Sequence, residues 1–125
     1  MITMDRIDVV IDETLIYYGF NPCMAGYKYL SDSIMIVLKD SSKIRYVTKR
    51  LYPEVSKING VAAATVGRSI RRIIERTWNN GNKYIKEDFA EFNNNHERMP
   101  SNIEFIAFIA ISVRDSMVKR ENRLS

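Results

Sequence analysis

The sequence has very little of several residue types that mark particular protein classes. Among 125 residues there are one cysteine (Cys23), one histidine (His96), five glycines and three prolines. A single cysteine excludes an internal disulfide framework and a cysteine-based zinc site, and it fits a reducing compartment. The few glycines and prolines argue against a turn-rich β-sandwich. No run of apolar residues approaches the eighteen that a membrane-spanning helix needs.

Secretory features are also missing from the N-terminus. Asp5, Arg6 and Asp8 lie where a signal peptide has its apolar core. We therefore expect a soluble, cytoplasmic protein. The length suits one domain covering residues 1–125, and 46% hydrophobic residues are enough to bury a core.

Positive charge is concentrated in the middle of the chain. Residues 43–76 hold nine basic and two acidic residues, a net charge of +7. The whole chain carries +4, so the remainder carries −3. A basic centre in a mildly acidic frame indicates a localised surface for a polyanion, which could be DNA, RNA or an anionic membrane.

Apolar spacings of three and four residues predict an all-α fold of about six helices. The first helix covers about 5–18 and ends at Gly19; the second covers 25–39. A third helical region from Lys43 to about Ile58 should kink or divide near Pro53. Further helices are predicted over 63–78, 83–92 and from Ser101 or Asn102 onward, with a frayed tail at about 119–125.

The segment 63–78 has the strongest helical pattern. At 100° per residue its inward positions fall in one arc: Val66, Ile70, Ile73, Ile74 and Thr77. The opposite side carries Arg68, Arg71, Arg72 and Arg76. With a preceding helix at about 52–58 and a short glycine-containing turn, this pattern predicts a helix-turn-helix at about 52–78 that places an arginine-rich helix in the major groove.

Five blocks of sequence stand in the order of a known family. They are Gly26-Tyr27-Lys28-Tyr29-Leu30, Thr48-Lys49-Arg50-Leu51-Tyr52-Pro53, Arg68-Ser69-Ile70-Arg71, Trp78-Asn79-Asn80-Gly81-Asn82 and Pro100-Ser101-Asn102-Ile103-Glu104-Phe105-Ile106-Ala107. Over about 5–115 the chain resembles the C-terminal DNA-binding effector domains of stage-zero sporulation protein A, a sporulation response regulator family. The resemblance implies six helices, double-stranded DNA as ligand and tandem binding on promoters.

Residue roles follow from the resemblance, position by position. Base reading is expected from Arg68, Arg71 and Thr65, with phosphate contact as the alternative for Arg71. Phosphate contacts are expected from Thr48, Lys49, Arg72 and Arg76. The segment 79–89 corresponds to the region through which the family contacts the RNA polymerase sigma factor, which makes Lys83, Lys86 and Glu87 candidates for that contact. The C-terminal helix is the candidate for a tandem homodimer contact.

Four departures from the family bear on specificity and regulation. Gly67 stands where the family has a base-recognising Glu, and Thr65 replaces a basic residue. The turn at 59–64 is also one residue longer. Nothing in the 125 residues could be the phosphoacceptor receiver domain of the full-length family. The start at Met1 favours a short relative over an excised domain, and such a chain would bind DNA constitutively.

Rival interpretations remain open. The chain could be an interaction module that pairs with the full-length regulator and modulates it, since Gly67 and Thr65 weaken the base-reading face. Contact with an anionic membrane is disfavoured, because the arginine-rich helix lacks a large exposed apolar face. No catalytic, cofactor or metal-binding pattern is visible. Ordinary structural roles are expected for Cys23 as a small buried residue, His96 in a surface loop and Trp78 as a core anchor.

Overall fold

The computed structural model describes residues 6–94 and 97–124, so His96 lies outside the described residues. Within them the chain forms six α-helices and no strand, as predicted. The helices are α1 (Ile7–Tyr17), α2 (Ala25–Lys39), α3 (Tyr52–Asn59), α4 (Ala63–Asn80), α5 (Lys83–Phe92) and α6 (Asn102–Leu124). A 3₁₀-helix (Ser41–Tyr46) and a π-helical turn (Val47–Leu51) connect α2 to α3.

The turn after α1 ends that helix as the glycine predicts. Gly19 adopts a φ of +93°, a conformation that side chains disfavour. Its amide donates to the Ile16 carbonyl, and the Phe20 amide donates to the Leu15 carbonyl. This pair of bonds is a Schellman motif, which satisfies carbonyls at the helix end.

Pro53 divides the third helical region, also as predicted. The backbone from 41 to 51 is wound as 3₁₀ and π turns, and a regular α-helix begins only at Tyr52, with Pro53 in its first turn. Proline is favoured there because the first helical amides have no partner within the helix.

One apolar cluster lies at the centre of the helices. α2 packs against α1, α3, α4 and α6, so it is the central element. The five predicted inward residues of α4 are all buried: Val66, Ile70, Ile73, Ile74 and Thr77. α6 contributes two large aromatic side chains to the core, Phe105 and Phe108, which pack against Phe20 and Phe89 respectively.

One detail differs from the sequence-based expectations. Cys23 is exposed, because it follows α1 in the turn 18–24, where its amide donates to Asn21 Oδ1 and no helix covers it. The segment predicted to fray is helical through Leu124. Arg120 pairs with Glu13 of α1, which ties this end of α6 to the domain.

Candidate nucleic-acid interface

A short turn joins α3 to α4. It consists of residues 60–62, and Gly60 adopts a left-handed φ of +65°. The Val61 amide donates to the Ser56 carbonyl at 3.1 Å, which closes the end of α3. Two helices joined by so short a glycine-containing turn have the form of a helix-turn-helix.

The two sides of α4 differ sharply. Its buried side is apolar, and Val66, Ile70, Ile73 and Ile74 are each 0% exposed. On the other side the side chains of three arginines are exposed, and no hydrogen bond or ion pair within the described part of the chain engages them: Arg68, Arg72 and Arg76. They are therefore available to an anionic ligand.

Arg71 belongs to the same side of α4 but is held by the protein. Its Nε donates to Glu75 Oε1 at 2.9 Å. Its Nη1 donates to the Pro100 carbonyl at 2.8 Å, with Asn102 Oδ1 farther away at 3.5 Å. The side chain is half-buried, so its position is defined before any ligand binds.

Thr65 and Gly67 occupy the start of α4. Thr65 is half-buried, on the same side of the helix as Arg68 and Arg72 by helical angle. Gly67 lies against the ring of Tyr52: a Cβ built on it would be 3.0 Å from Tyr52 Cε2. Because Gly67 has no side chain, the Tyr52 ring of α3 can lie close to α4 at this point.

The predicted phosphate contacts Thr48 and Lys49 lie in the π-helical turn before α3. Both are exposed, as are Arg45 and Arg50. The Arg50 guanidinium lies 4.7 Å from the ring centroid of Tyr46, a cation–π distance that leaves its N–H groups able to donate.

α5 carries the three candidates for polymerase contact. Lys83, Lys86 and Glu87 are all exposed. Asn82 caps the helix by accepting from the Tyr84 amide at 3.1 Å, and its Nδ2 donates to the Tyr17 carbonyl of α1 at 2.7 Å. Trp78 is half-buried against Phe89 at 6.1 Å between centroids, and so supports α5 as an anchor.

A family model of the sporulation initiation factor Spo0A C terminal matches residues 11–113. This match covers most of the chain. The chain belongs to this family. The Spo0A C-terminal domain is the DNA-binding effector domain of a sporulation response regulator, and it is not a catalytic family. The arginine face of α4 and the helix-turn-helix therefore stand in a domain of a DNA-binding family.

Neither a metal cluster nor a membrane span occurs in the described part of this Spo0A C-terminal domain. Within 6–94 and 97–124, no group of three or more His, Cys, Asp or Glu side chains could hold a metal ion. None of the described helices is both long and apolar enough to cross a membrane.

Sequence patterns did not reveal three contributors to this surface. Glu75, which holds Arg71, could have been identified from its i,i+4 spacing. Asn102 and the Pro100 carbonyl reach α4 from 29 to 35 positions away along the chain, and no periodicity signals such contacts.

Proposed function

We propose that the protein is a sequence-specific transcriptional regulator linked to sporulation, which inserts α4 into the major groove of double-stranded DNA. The observation that carries the proposal is the division of α4 into a fully buried apolar side and an exposed arginine side, directly after a helix-turn-helix turn. A helix of this kind is held rigidly by its domain while its cations face the ligand.

The residues divide into two groups by what they would contact. Arg68, Arg71 and Thr65 read base edges, since arginine donates two parallel hydrogen bonds to guanine O6 and N7. Thr48, Lys49, Arg72 and Arg76 contact phosphates and fix the position of the domain on the duplex. The first group sets specificity, and the second sets general affinity.

Two protein partners complete the proposal. The exposed Lys83, Lys86 and Glu87 on α5 contact the RNA polymerase sigma factor during activation. A second copy of the domain binds in tandem through α6, which exposes Ile103, Ile111 and Val118 at 48%, 43% and 51%.

The central test is a duplex selected from a random pool with the wild-type protein. We expect Arg68→Ala to reduce the preference for the selected duplex over a random one by roughly 5-fold to 150-fold, since one bidentate base contact contributes about 1–3 kcal/mol. Arg72→Ala should weaken binding to both duplexes by a similar factor. Fluorescence anisotropy at two salt concentrations measures both quantities.

Two results would contradict the proposal at different levels. If Arg68→Ala left the preference unchanged, the assignment of Arg68 to base reading would be wrong. If the wild-type protein bound every duplex weakly, and only at low salt, sequence-specific regulation would be wrong and an interaction module would replace it.

A further inference from the structure

Asn102 connects three helices at one point beside α4. It is the first residue of α6, and its Nδ2 donates to Tyr52 Oη of α3 at 2.9 Å. The same Nδ2 lies 3.1 Å from the carbonyl oxygen of Gly67 in α4. The side chain therefore fixes the start of α6 against both helices of the helix-turn-helix.

The start of α6 in turn holds Arg71. The Pro100 carbonyl, two residues before Asn102, accepts from Arg71 Nη1 at 2.8 Å. A capping box fixes this segment from the other side: Ser101 Oγ accepts from the Glu104 amide, and Glu104 Oε1 accepts from the Ser101 amide. The acceptor for Arg71 is thus held in a defined place by α6.

The guanidinium of Arg71 is consequently restrained, but it still has N–H groups that can donate to a ligand. Nε and Nη1 are engaged, and among the described residues no hydrogen bond uses Nη2. An arginine that is already ordered loses less side-chain entropy on binding than a free one. This arrangement favours discrimination between duplexes over general affinity.

We propose that Asn102 is a positioning residue for base recognition: by anchoring the start of α6 to Gly67 and Tyr52, it places the carbonyl that orients Arg71. The inference rests on the proposed function, because it assigns to Asn102 a part in the same recognition. Asn102 itself touches no base, and its effect on DNA passes through Arg71.

A double-mutant cycle on the selected duplex tests this dependence. Wild type, Asn102→Ala, Arg71→Ala and the double variant are compared by anisotropy on selected and random duplexes. We expect Asn102→Ala to lower the selected-to-random ratio by roughly fivefold to tenfold with an unchanged salt slope, since no phosphate contact is lost. In the Arg71→Ala background the same change should alter the ratio by less than about twofold. Equal losses in both backgrounds would overturn the proposal.

Controls separate positioning from loss of fold. Asn80→Ala is the matched change, because Asn80 donates to the Arg76 carbonyl on the exposed end of α4, and no hydrogen bond among the described residues joins it to Arg71 or α6. It should leave the ratio unchanged. Thermal unfolding checks each variant. If Asn102→Ala is unfolded, Asn102→Ser takes its place, since serine is favoured at helix starts and is too short to bridge the same acceptors.

A measurement on the free protein distinguishes failure of the link between Asn102 and Arg71 from failure of the proposed function. In the free protein the Arg71 Nη1 protons, one of which is donated to the Pro100 carbonyl, should exchange with solvent faster in Asn102→Ala than in wild type, as followed by NMR at low temperature. Unchanged exchange would overturn the link between Asn102 and Arg71, whatever the DNA results. Faster exchange in a protein that shows no duplex preference would instead refute the proposed function, and with it the recognition role of Asn102.

Discussion

Gly26 lies where α2 and α4 approach so closely that a methyl group does not fit. A Cβ built there would be 2.3 Å from the Ser69 carbonyl oxygen and 2.9 Å from its carbon. Because these are backbone atoms of α4, the contact cannot be relieved by a rotamer change. The residue therefore determines how deeply α4 sits on the domain.

We expect Gly26→Ala to lower the free energy of unfolding by about 1–3 kcal/mol, since the two helices must separate. Gly67→Ala is the matched control. Its Cβ would meet only the edge of the Tyr52 ring, and the gain of up to about 1 kcal/mol in helix propensity offsets that contact. Urea denaturation of both variants measures the difference. A Gly26→Ala protein as stable as Gly67→Ala would contradict the close approach of α2 to α4.

Single residues also show what a pattern cannot reveal. The sequence predicts Cys23 in the core because cysteine is commonly buried, but its position in a turn exposes it. Arg71 stands at an outward helical angle, yet it is bound to Glu75 and Pro100. Periodicity gives the direction of a side chain, and the partners it meets depend on tertiary packing.

At the scale of elements the sequence predicts the helices well. The bounds of α2 and α5 agree with prediction, because the residues that flank them, Asp40 and Asn82, carry clear capping chemistry. The sequence does not distinguish the 3₁₀ and π turns at 41–51 from α-helix. Over a segment as short as Lys43–Leu51, apolar residues spaced three and four apart are compatible with all three kinds of helix. The helix-turn-helix could be predicted from Gly60 in the turn and from the amphipathic segment 63–78.

The start of α6 should respond to acid. Arg98 and the Ser101 amide together lower the pKa of Glu104 from 4.5 to about 2. Because the pKa is lower in the folded state, the stabilisation by this carboxylate is complete above about pH 5 and is lost as the pH falls toward 2. Glu104→Gln should therefore be less stable than wild type at neutral pH, and the gap should close at low pH.

Denaturation of both proteins between about pH 7 and about pH 2.5 measures that gap. Glu91→Gln, which removes one negative charge from an exposed position on α5, is the matched control. A constant gap for Glu104→Gln would mean that the capping box adds no pH-dependent stability.

At the scale of the whole molecule, charge separation governs the approach to DNA. The net +7 of residues 43–76 stands against a remainder of −3, so the charge of the domain is strongly asymmetric. Such asymmetry accelerates the encounter with a polyanion at low ionic strength. It also acts equally on every duplex, because phosphates carry no sequence information.

Three proposed phosphate contacts are cations: Lys49, Arg72 and Arg76. Together they give a salt slope of about −2.7, so raising salt from about 50 to about 200 mM should weaken binding by a factor of about 40. Arg76→Ala should make the slope shallower by about 0.9. Lys119→Ala on α6 removes a cation from elsewhere and should leave the slope unchanged. Equal slopes for wild type and Arg76→Ala would remove Arg76 from the interface.

The separation of α4 into two sides has a consequence for protein engineering. Ala64, Thr65 and Arg68 can be randomised together while every fully buried side chain of the helix keeps its identity. A library built on these three positions would measure how far DNA preference depends on them, on a constant scaffold. The exposed side of α4 could in this way be redesigned without changing the core of the domain.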